Sequence, residues 1–75
     1  MNLRDAVAVA RQEVIDLFAA DAPRDVRMEQ FLYDDHLAVW SLKIGFAVPG
    51  HPDDRRYKIV RISEADKSVL SIADR

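Results

Sequence analysis

No cysteine occurs among the 75 residues. That absence excludes disulfide staples, thiolate metal sites and a cysteine nucleophile. Glycine is nearly absent too. Gly45 and Gly50 are the only two, and they cannot form the backbone cradle of a P-loop or a dinucleotide fingerprint. No apolar run approaches the roughly 18 residues that cross a bilayer, and repeats and low-complexity tracts are missing. There is no positive excess: 11 Lys and Arg stand against 13 Asp and Glu, a formal net charge of -2. A general affinity for nucleic acid or anionic membrane needs the opposite balance. Met1–Asp5 shows no basic segment followed by an apolar one, so no signal peptide is read there. Small secreted domains usually lean on disulfides, so the expectation is a cytoplasmic protein.

What is present suits a folded chain. Hydrophobic residues make up 49% and charged residues 32%, ordinary for a globular domain. A chain of this size buries only about 60–65% of its unfolded surface. Residues 1–75 therefore read as one domain with a modest core and little room for a deep cleft.

Asn2 is placed to cap a helix, with Asp5 in its first turn. Leu3, Val7, Ala10, Val14, Leu17 and Phe18 recur at helical spacing, and Ala6 widens the stripe. Val9 and Ile15 lie on its flank. The helix is expected to fade near Ala20–Ala22, because Pro23 disfavours helical geometry before it. Strand formers follow. Residues 26–33 form a first strand whose alternation is imperfect, and Asp34-Asp35-His36 marks a turn. Residues 37–48 form the clearest strand, with Ala38, Trp40, Leu42, Ile44, Phe46 and Val48 on one face and Ser41, Lys43 and Gly45 on the other. Residues 49–54, holding two prolines and a glycine, read as a loop. Residues 55–63 are the third strand: Val60 and Ile62 point one way, Tyr57 and Ile59 the other. Residues 64–67 turn the chain into a short fourth strand, 68–73, with Leu70 and Ile72 on one face. The predicted fold is α+β: one N-terminal helix packed on a three- to four-stranded antiparallel meander, α-β-β-β-β. One helix covers one sheet face. The apolar surface left over, with Phe31, Tyr33, Tyr57 and Ile59, is the candidate partner surface.

Chemistry is sparse. His36 and His51 each neighbour aspartates, which suggests metal ligands, but the meander puts them at opposite ends of a strand spanning roughly 33 Å. They read as turn formers. The first and third connections share one end of the sheet, which gathers Asp34, Asp35, Glu64 and Asp66 into a candidate acidic rim facing a cation or a basic partner, or simply water. The other end collects Arg24, Arg55, Arg56, His51 and Arg75, diluted by aspartates. Ser41, Ser63, Ser68 and Ser71 show no nucleophile elbow. No catalytic set, metal site or cofactor is expected, and the chain does not read as an enzyme.

The Ala-rich opening helix, Leu3–Ala10, and the closing hairpin, Tyr57–Ser71, resemble the PepSY-type domain and its small α+β relatives. In that family the hairpin has a tyrosine-led strand, an acidic turn with glycine, and a valine-led strand. Here Lys67 or Ser68 stands where the glycine belongs. The resemblance implies a non-catalytic binding or inhibitory module and assigns no functional residue. Three functions are weighed: a protein-binding module, self-associating as a homodimer through the open sheet face; an immunity or inhibitor protein, of the kind found among small bacterial proteins, that meets a basic toxin or enzyme; and a single-strand nucleic-acid binder stacking bases on Phe31 and Tyr33 beside Lys43 and Arg61. No membrane partner is expected.

Overall fold

The computed structural model describes residues 1–74, apart from the side chain of Pro52. Helix α1 runs Leu3–Leu17, and Asn2 caps it by accepting a 2.8 Å hydrogen bond from the Asp5 N–H. The helix stops earlier than Pro23 alone requires. Phe18 donates its N–H to the Val14 carbonyl, a single 3-10 turn covers Ala19–Asp21, and Ala22 reverses the chain at φ 50°. Four strands follow: β1 Arg24–Asp34, β2 Val39–Val48, β3 His51–Ser63 and β4 Val69–Asp74. They form one antiparallel sheet in the order β1-β2-β3-β4, the expected α-β-β-β-β meander.

The core forms where α1 lies on the two central strands. Ala6, Ala10 and Val14 are fully buried against Leu42, Ile44, Phe46, Val60 and Ile62. Two alanines on the inward stripe let the helix approach closely, and the larger side chains come from the sheet. Phe18 stacks on Phe46 with ring centroids 5.7 Å apart. Val9, which sat awkwardly beside the stripe, packs against this core. Leu17 does not: it is 58% exposed, because the sheet beneath α1 has already been covered by Val14 and Phe18.

Other boundaries shift for local reasons. Leu37 and Ala38 belong to the β1–β2 turn, not to β2, and Ala38 sits at φ 55°. The turn after β2 is only Pro49-Gly50, with Gly50 at φ 89°, the proline-then-glycine order of a type II turn. Residues 51–54 are therefore extended and not a loop. Their ladder is interrupted all the same. Between the pairs Phe46↔Arg56 and Val48↔His51, a single β2 residue stands opposite four of β3. In β4, a register shift beside Ile62 leaves Leu70 54% exposed, while Val69 and Ile72 take the core positions.

Two outcomes follow for stability. Leu42→Ala should cost about 2–5 kcal/mol by opening a cavity in the core, whereas Leu17→Ala should change stability by less than about 0.5 kcal/mol. Both are read from urea denaturation midpoints. Lys67 holds φ 61° in the β3–β4 turn, where a side chain costs roughly 1–2 kcal/mol. Lys67→Gly should therefore raise stability by about 0.5–1 kcal/mol after glycine's own entropy cost, a gain visible in the same urea titration.

Candidate functional site

Strand β1 is an outer strand of the sheet, paired to β2 on one side only. Its register breaks twice, between Arg24 and Arg27 and between Met28 and Gln30. The second break makes Glu29 an extra residue. From Gln30 to Asp34 the pairing is then regular, running against Lys43 back to Val39. The extra residue reverses the alternation. Val26 and Met28 pack against the core, so uninterrupted alternation would turn Gln30 and Leu32 toward the helix. Instead Phe31 stands opposite Leu42 and Tyr33 opposite Trp40, on the helix-bearing face. Their rings lie 6.5 and 4.8 Å from Trp40.

The candidate partner surface is thereby divided. Tyr57 and Ile59 lie on the open face, opposite Gly45 and Lys43, whereas Phe31 and Tyr33 lie on the other. What unites Phe31 and Tyr33 with new neighbours is the edge itself. Phe31 is 49% exposed, Leu32 67%, Tyr33 38% and Leu37, in the turn that follows, 60%. Three successive residues of one outer strand present apolar side chains to solvent, a feature that outer strands ordinarily avoid.

The open face is more polar than expected. Lys43 sets its Nζ 4.7 Å from the Tyr57 ring, a cation–π contact. Arg55 reaches Asp25 through Nη1 at 3.1 Å and through Nη2 to the Asp25 carbonyl at 3.0 Å, and lies 3.4 Å from Glu29. This cluster explains Gly45. A Cβ there would come within 3.0 Å of both Glu29 and Tyr57 and 3.1 Å of Arg55. A shallow hollow remains, lined by Gln30, Phe31, Leu32, Ser41, Lys43 and Ile59.

The candidate acidic rim comes together at one end, where the Glu64 N–H donates to the Ala38 carbonyl at 2.9 Å. Its carboxylates are committed to the protein's own groups. Asp34 Oδ1 accepts the N–H groups of His36 and Leu37. Asp66 accepts the Ser68 hydroxyl and N–H; these bonds, led by the hydroxyl, hold it below the usual aspartate range. Glu64 takes the Met1 ammonium at 2.9 Å on Oε1 and the Trp40 indole N–H on Oε2. The ammonium bond first and the indole bond second keep its carboxyl below the usual range. Of the four, Asp35 alone makes no such bond among the described residues, and it is exposed. Among the described residues no group of three or more His, Asp or Glu could hold a metal ion. At the opposite end, Arg24, Arg56 and His51 are exposed, Arg55 is neutralised as described, and Arg75 lies outside the described residues.

The junction of Met1, Trp40 and Glu64 went unread in the sequence. Its signal was the tryptophan, whose N–H needs a partner when its ring is partly covered. Because Glu64 is held below its ordinary range, its contribution to stability is present above that range and lost as pH falls through the lowered value. Acidification should therefore shift the emission of Trp40, the only tryptophan, at a pH below the ordinary glutamate range. Glu64→Gln should remove that transition in a fluorescence titration.

No family model, no curated protein and no solved structure matches this chain.

Proposed function

We propose that this chain is a non-catalytic, cytoplasmic protein-binding module that takes an extended partner segment along the outer edge of β1. The observation that carries the reading is the run Phe31-Leu32-Tyr33 with Leu37, all exposed on a strand with one side unpaired. An added strand satisfies the free N–H and C=O groups there, and the alternating side chains give it specificity on both faces. The PepSY-like outline of helix and closing hairpin implies the same class of role.

The two other readings draw less support from the same geometry. A basic partner would face a rim in which Asp34, Glu64 and Asp66 already accept internal hydrogen bonds. Stacked bases would need aromatic rings and cations on one face, yet Phe31 and Tyr33 lie on the face away from Lys43 and Arg61. No helix among the described residues is long and apolar enough to cross a membrane.

The test is affinity capture from host lysate with the wild-type chain and with Leu32→Lys. Leu32 is 67% exposed, so the variant should keep its fold by circular dichroism. Partners captured by the wild type should be lost with the variant; identical captured sets would place binding elsewhere.

A further inference from the structure

We infer that the segment that pairs with β1 is β1 of a second copy of this chain, antiparallel and centred on Leu32. The inference rests on the edge-binding reading above and adds the occupant and its register. Two-fold symmetric pairing of a strand with itself requires each face to meet the same face of its partner, so residue numbers across the interface sum to an even value. The regular run is Gln30–Asp34, five residues bounded by the Glu29 bulge on one side and the β1–β2 turn on the other. Its midpoint is Leu32. Only the register centred there uses the whole run and nothing beyond it.

That register also matches side chains. On the helix-bearing face, Phe31 of each copy meets Tyr33 of the other, and these four rings extend the aromatic contacts each copy already makes with Trp40. Aromatic cross-strand pairs of this kind are among the favourable ones. On the open face, Leu32 meets Leu32 across the axis, flanked by Gln30 opposite Asp34. The single charge within the run therefore faces a neutral amide, and that carboxylate already caps its own turn. Centring on Phe31 instead sets Glu29 against Tyr33 and draws the bulge into the ladder. Centring on Tyr33 sets Phe31 against Asp35, which lies in the turn. The product is one eight-stranded sheet with both helices on the same face.

The absence of native cysteine makes the register directly testable. In a single variant, Leu32→Cys, the two thiols face each other across the axis within reach of a disulfide. Leu70→Cys places an equally accessible thiol, at a residue 54% exposed, on the opposite edge strand. Purified protein is brought to mild oxidant and resolved without reductant, and the wild type is sedimented to equilibrium. The expected result is a wild-type dimer, rapid cross-linking of Leu32→Cys, little of Leu70→Cys, and a dimer dissociation constant raised about tenfold or more in Leu32→Lys. A wild-type dimer whose Leu32→Cys variant cross-links no faster than Leu70→Cys overturns the register. A strict wild-type monomer overturns the second copy as occupant; if lysate capture still depends on Leu32, the edge-binding reading stands without it.

Discussion

A helix of fifteen residues has to shield a sheet much larger than itself. At 1.5 Å per residue α1 spans about 22 Å and is about 10 Å wide. Four strands spaced by nearly 5 Å, the longest of thirteen residues, offer about 19 Å by 40 Å. The mismatch decides where apolar side chains can be hidden. The helix is centred over β2, with β1 and β3 on either side, and Leu42, Ile44, Phe46, Val60 and Ile62 supply the bulk that its alanine-rich stripe lacks. Both outer strands are consequently left partly uncovered. The rings of Phe31 and Tyr33 on β1 are among the side chains left exposed.

Much of this arrangement was legible in the residues. The capping asparagine, the helical stripe apart from Leu17, and the alternation of β2 from Trp40 to Phe46 each reflect a local rule. The faces of β3 were equally readable, since Val60 and Ile62 alternate with Tyr57 and Ile59. Less legible was anything that depended on a single inserted residue. Glu29 adds one position to β1 and so reverses the face of everything after it. The imperfect alternation of residues 26–33 was the trace of that insertion, but pattern alone does not say which residue is extra. Leu70 was misplaced for the same reason. Residues 51–54 looked like loop because proline and aspartate dominate them; they are extended where the ladder is broken and a missing donor matters little.

The acidic cluster shows a different limit. Topology sets its members at one end, yet proximity said nothing of what the oxygens already held. Glu64 joins the first residue, the single tryptophan and the last hairpin in one contact. Asp34 and Asp66 stiffen the two turns beside it. Ala38 and Lys67 take left-handed conformations in those same turns without being glycine. The side-chain bonds of Asp34 and Asp66 help to offset that backbone cost. The carboxylates at this end thus serve the fold before they serve any visitor.

The far margin of the sheet bears on how large an assembly can become. Strand β4 has only six residues, is interrupted at Leu70, and carries the Lys58–Asp74 ion pair near its end. Such a margin is a poor template for another strand. Joining two chains at β1, as inferred above, would use its regular run Gln30–Asp34 and leave two blunt borders facing outward. Growth would then halt at a pair instead of continuing into a fibril.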